Sequence, residues 1–216
     1  MTIPGIVSLH RDNQLAARAL MAGVILALTI VPASAQSVQI DSSKSVVSIR
    51  VFKSGVFSGF AHDHVVQAPI ASGAIDLNKR SVTLTFNVAD MKVLDQGASD
   101  SERKEIDATM KGPKVLDATL FPVISFTSNS LKTSGTDHNE VTGTLKIHGV
   151  SRQVTTAVTF HDGTYAGSLL LKQTDYGITP VKIAGGAVRV KDEITVEFTV
   201  MPASSTAPNG AGQAQN

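Results

Sequence analysis

The sequence contains neither cysteine nor tryptophan. Without cysteine there is no disulfide, no thiolate metal ligand and no cysteine nucleophile, so an ordinary apolar core must hold the fold together. Aromatic residues make up only 5 % of the chain. A membrane-spanning barrel would need aromatic girdles at both interfaces, which this composition does not supply, and no stable membrane insertion is expected. Catalytic signatures are missing as well. There is no P-loop, no G-x-G-x-x-G and no H-E-x-x-H, and "GVFSG" (Gly55 to Gly59) has the wrong spacing for a nucleophile elbow. Asp192 and Glu193 are adjacent carboxylates, but neighbours on a strand point to opposite faces. No enzyme activity is expected.

Long apolar runs are also scarce. The longest, Leu20 to Val31, is too short to anchor a protein in a bilayer. It follows Arg11 and Arg18 and precedes Ala33-Ser34-Ala35. Positive charge, a short apolar stretch and an A-x-A site in that order describe a secretory signal. The expectation is a signal peptide over 1–35, cleavage after Ala35 and a periplasmic location. Removing Arg11, Arg18 and Asp12 brings the 19 basic and 18 acidic residues into balance. A neutral chain without clustered cations is not built for nucleic acid. The small polar residues from Ala203 to Asn216 cannot offset the entropy of ordering, so 203–216 reads as a disordered tail and 36–202 as one domain.

What the domain does have is alternation with a period of two. In "SVTLTFNV", Val82, Leu84, Phe86 and Val88 alternate with polar residues. The same pattern runs through "SVVSIRVF", "VISFTS", "VTGTLKI", "VTTAVTF" and "ITVEFTV". Turn-formers separate the runs: Asn78-Lys79-Arg80, Gly135 to Asn139, His148-Gly149, His161-Asp162-Gly163 and Gly185-Gly186. About eight strands joined by short turns predict an all-β fold, an antiparallel sheet closed into a barrel or folded into a sandwich. One segment has a different period. Ser99 stands three residues before Glu102, Ile106 and Met110 share a face, and Gly112-Pro113 stops the pattern. This predicts a capped amphipathic helix, inserted between strands and packed over one end of the barrel.

The tripeptide His62-Asp63-His64 is the one cluster of chemistry-bearing residues. On a strand both imidazoles share a face, and two of them can hold a divalent ion. A third ligand would have to come from His138, His148, His161 or a carboxylate. The simpler reading makes the histidines polar groups at a strand bend.

The strands "LFPVISFTSNSL" (Leu120 to Leu131), "VTGTLKIHGVSRQVTTAVTF" (Val141 to Phe160) and the turn "TDYGI" (Thr174 to Ile178) resemble the YceI-like family of periplasmic polyisoprenoid-binding proteins. The resemblance covers nearly all of Val38 to Met201. It implies a lipocalin-like, eight-stranded antiparallel β-barrel with an internal apolar cavity that holds a long isoprenoid chain, a polyprenyl pyrophosphate or quinone tail, without catalysis or cofactor. Two polar positions depart from the commoner family pattern, where Lys53 and Gln173 stand here. The apolar set expected to contact the lipid is Val82, Leu84, Phe86, Ile124, Phe126, Leu145, Ile147, Val158, Phe160, Leu169, Leu171, Val196 and Phe198. His62 and His64, with Lys53, are expected at the barrel mouth in place of the family's polar contacts. The alternatives are a metal-binding protein built on His62 and His64, and a packed barrel acting as an interaction module. A homodimer is left open.

Overall fold

The computed structural model describes residues 37–54 and 63–204. The expected signal peptide, His62 and the tail beyond Ser204 lie outside the described residues. The described chain is mostly β with one short α-helix. Strands β1 (Ser37–Gln39), β2 (Val46–Ser54), β3 (His64–Gln67), β4 (Ser72–Asp76), β5 (Ser81–Asn87) and β6 (Lys92–Val93) precede helix α1 (Asp100–Lys111). Strands β7 (Val123–Ser134), β8 (His138–Ile147), β9 (Val150–His161), β10 (Thr164–Lys172), β11 (Lys182–Ile183) and β12 (Val188–Val200) follow it.

All the strands join one antiparallel sheet in the order β1-β4-β5-β7-β8-β9-β10-β12-β2-β3-β6, with β11 paired to β12 off that path. The described residues form twelve strands where about eight are expected, and they make a curled half-barrel rather than a closed barrel. The difference lies in pieces such as β1, β3, β6 and β11, which span 3, 4, 2 and 2 residues. Such segments are too short to show a period. The sheet curls back on itself. Past β1, Ile40 bridges to Pro202, Asp41 N–H donates to Met201 O (2.8 Å) and Ala203 N–H donates to Gln39 O (2.7 Å). The two ends of the strand path, β1 and β6, do not pair with each other.

Turn chemistry sets the hairpins. The two-residue loops His148-Gly149 and Asp162-Gly163 have positive φ at both positions (49° and 76°; 47° and 76°), the geometry that matches strand twist. In the β7–β8 ladder, Ser128 pairs with Gly143 and Ser130 with Thr142, so Asn129 is an unpaired bulge. The bulge flips the alternation. Phe126 and Leu131, an odd number of residues apart, both face the interior.

Helix α1 forms as its sequence predicts. Ser99 Oγ accepts from Glu102 N–H (3.3 Å), and Glu102 Oε2 accepts from Ser99 N–H (2.7 Å), a reciprocal capping box. Ile106 and Met110 pack against the core, which includes Val88, Met91, Val93 and Leu116. The Arg103 guanidinium ties the helix to the loop before it by donating to the carbonyl oxygens of Asp95 (2.9 Å) and Ala98.

Candidate ligand-binding cavity

The curled sheet encloses a cavity of about 540 Å³. Its wall follows from the strand register. Leu84 on β5 lies opposite Phe126 on β7, which lies opposite Leu145 on β8. Leu169 on β10 faces Val196 on β12, and Val196 faces Ile49 on β2. Alternation sends every second side chain of each strand inward, and most of those residues are apolar. Val82, Leu84, Phe86, Ile124, Phe126, Leu145, Ile147, Val158, Phe160, Leu169, Leu171, Val196 and Phe198 all line the cavity. Close packing in the wall depends on glycine. A Cβ at Gly143 would stand 2.5 Å from the Phe126 ring and 2.7 Å from Thr127 O.

Sequence reasoning missed several lining residues. Val47, Ile49 and Val51 alternate inward on β2, in a run already legible as a strand. Leu131 and Val141 depend on the bulge at Asn129. Met91, Met110, Val115 and Leu116 come from the helix and its flanking loops, where no strand period exists to read. Ser128 is buried in the wall, and its hydroxyl accepts from Val82 N–H (2.8 Å), which satisfies a ladder donor beside the bulge.

The two ends of the cavity differ. Around α1 the lining residues Met91, Leu116, Tyr176 and Ile178 are buried. Tyr176 is 2 % exposed and its hydroxyl has no hydrogen-bond partner among the described residues. Burial pushes its ionisation up; the charge of Asp175 adds to this and Arg152 opposes it. The hydroxyl is therefore neutral across the physiological range. At the opposite end the lining includes exposed residues from the hairpin tips: Leu77, Arg80, Thr133, Thr136 and Phe160. This end is the mouth.

The expected polar contacts sit elsewhere. Neither Lys53 nor His64 lines the cavity. His64 Nδ1 lies 2.5 Å from Asp95 Oδ2, while Asp95 Oδ1 accepts from Val65 N–H (2.8 Å). Asp95 is 5 % exposed, and a buried carboxylate needs such partners, which draws the imidazole away from the barrel interior. Nothing local to "KVLDQG" signals this buried charge. Lys53 borders a second, shallow hollow of about 450 Å³ with Asp63, Asp95 and Gln96, and its N–H donates to Asp63 Oδ1 (3.0 Å). Among the described residues no three histidine or carboxylate side chains come together as a metal site. His148 occupies its turn, edge-on to Phe121 with ring centroids 4.6 Å apart.

Comparison with known proteins now adds to the geometry. The profile of the YceI-like domain matches residues 38–201. The chain belongs to the YceI-like family. YceI-like proteins are binding proteins, and their barrel is a lipid- and polyisoprenoid-binding fold. Among solved structures this YceI-like chain is similar to Burkholderia cenocepacia BcnA, with 24 % identity and a TM-score of 0.54 over 74 % of this chain and 98 % of that one. It is also similar to the Campylobacter jejuni YCEI protein, with 17 % identity and a TM-score of 0.45 over 65 % and 82 % of the two chains. The BcnA likeness supports the fold. No curated protein matches the chain. No helix among the described residues is long and apolar enough to cross a membrane.

Proposed function

We propose that this YceI-like protein is a periplasmic carrier that holds the chain of an isoprenoid lipid in its cavity and performs no chemistry on it. The observation that carries this reading is an apolar cavity of about 540 Å³ walled by inward-facing Val, Leu, Ile and Phe from every long strand. Pockets for small ligands span about 300–1,000 Å³, so the space fits an occupant rather than a packing defect. Each methylene moved from water into such a wall gains ~0.8 kcal/mol before ordering costs. A long hydrocarbon therefore binds without a strong polar contact, and the wall offers few polar groups to make one. The signal-peptide pattern before Gln36 supports export to the periplasm.

Native mass spectrometry on untagged protein purified from periplasm tests the reading, with organic extraction of the bound species. The expected result is a co-purifying mass that extracts as a polyprenyl lipid. A protein recovered bare that also fails to take up an added polyprenyl alcohol would overturn it.

A further inference from the structure

The cavity has a hydrophobic interior and a mouth of a different character. Arg80 closes the β4–β5 hairpin with φ at 51°, a left-handed conformation that glycine or asparagine adopts more easily than arginine. Its guanidinium reaches across to β7, where Nη2 donates to Thr133 Oγ1 at 3.2 Å. Thr133 is the register partner of Asn139 on β8, and both line the cavity beside Thr136. Arg80 forms no ion pair with a carboxylate among the described residues. Asp76 lines the same mouth, but it is committed to its own turn. Its Oδ1 accepts from Asn78 N–H (3.0 Å) and Lys79 N–H (2.9 Å), and its Oδ2 pairs with Lys79 Nζ (3.4 Å). The mouth thus presents a fork of N–H donors that is ion-paired to no acid among the described residues, while Asp76 beside it is neutralised by Lys79, at the point where an apolar tunnel meets solvent.

The helix end lacks this arrangement. Lys172 lines the cavity there, but its charge acts on Asp192, whose ionisation it helps to lower, and it is the register partner of Glu193 in the β10–β12 ladder. The Gln173 amide is held by Lys191 O at 2.8 Å.

We propose that the hairpin-tip mouth is the headgroup end of the site and that Arg80 binds a phosphate there, with Thr133 and Asn139 completing a polar collar. This rests on the isoprenoid reading and deepens it. The tail enters first, its tip lodges among Met91, Met110 and Leu116 under α1, and the charged group stays at the rim. An anion left in water at the mouth avoids the desolvation that burial would impose, and the guanidinium meets phosphate oxygens in bidentate geometry. Free inorganic phosphate has the same chemistry as a lipid phosphate, so the two are distinguished by the tail.

The test compares geranylgeranyl pyrophosphate with geranylgeraniol, which carries the same tail, by isothermal titration of wild type, Arg80→Ala and Arg80→Lys. Inorganic pyrophosphate is the third ligand. Each variant keeps an ordinary side chain on the same left-handed backbone, and circular dichroism checks that all three fold alike. Wild type is expected to prefer the pyrophosphate lipid by about ten-fold or more, the scale of a charge-assisted hydrogen bond. Arg80→Ala is expected to weaken the pyrophosphate lipid about ten-fold more than the alcohol, which abolishes the preference, and Arg80→Lys restores part of it. Equal affinities of wild type for the two lipids, or an unaltered preference in Arg80→Ala, would overturn the headgroup assignment and leave the carrier reading intact. Inorganic pyrophosphate binding as tightly as the lipid would overturn it too, since the site would then be an anion site without a tail. If wild type takes up neither lipid, the carrier reading fails and the headgroup site falls with it.

Discussion

Replacing Val196 with phenylalanine separates an interior that waits for a ligand from one that is merely packed. Val196 lies in the middle of β12 between Leu169 on β10 and Ile49 on β2, and its side chain lines the cavity. The substitution adds about four carbons to the wall and displaces a similar stretch of bound chain; at ~0.8 kcal/mol per methylene the loss is about 3 kcal/mol, roughly two orders of magnitude in Kd. The empty protein should lose nothing, because the new ring enters open volume, and cavity filling commonly gains about 0.5–2 kcal/mol. Affinity is read by titration with a polyprenyl alcohol. Stability is read by urea unfolding followed by circular dichroism, since the chain has no tryptophan to report. A destabilisation of about 1–3 kcal/mol would mean that the position is already packed and the volume is not free. Unchanged affinity with unchanged stability would mean that the lipid binds elsewhere. Either result refutes the reasoning from cavity to carrier.

Other changes probe the parts that shape the cavity. Gly143→Ala puts a methyl group against the Phe126 ring and Thr127 O, and should cost about 1–3 kcal/mol in urea unfolding; a neutral effect would show that the Phe126 packing is not fixed. Asp95→Ala leaves Val65 N–H and His64 without their shared acceptor, and a loss of about 1–3 kcal/mol is expected from the same assay, with less than half of that arguing against a structural role for the pair. Asp192 is held below the usual carboxylate range, first by the Thr174 backbone N–H (2.9 Å) and then by the Thr174 hydroxyl (2.7 Å). Its folded ionisation lies below its unfolded one, so its contribution is present above the unfolded value and is lost as pH falls through the folded one. A carboxyl NMR titration should find Asp192 ionising below an ordinary aspartate and moving up in Thr174→Val, and an unmoved midpoint in the variant would contradict the assignment.

The sequence by itself determined the local structure and the faces. Alternation in "SVTLTFNV" and "ITVEFTV" assigned Leu84, Phe86, Val196 and Phe198 to one side of their strands, because successive side chains on a strand must point oppositely. The Ser99–Glu102 pair wrote the start of α1, and the His148-Gly149 and Asp162-Gly163 turns wrote two hairpins, because these are bonds and dihedrals between near neighbours. Only the tertiary structure decided where those faces meet. Periodicity does not say that β12 lies beside β2, or that β3 and β6 each pair two residues across a long separation in the chain. It does not show the bulge at Asn129, which depends on the partner strand and turns Leu131 inward. His64 is expected at the barrel mouth in place of the family's polar contacts, whereas it pairs with Asp95, 31 residues away, and is not among the cavity-lining residues. Alternating apolar residues also describe a filled core as well as a hollow one. Whether opposite walls touch depends on how far the sheet curls, a property of all its strands together and of no single segment.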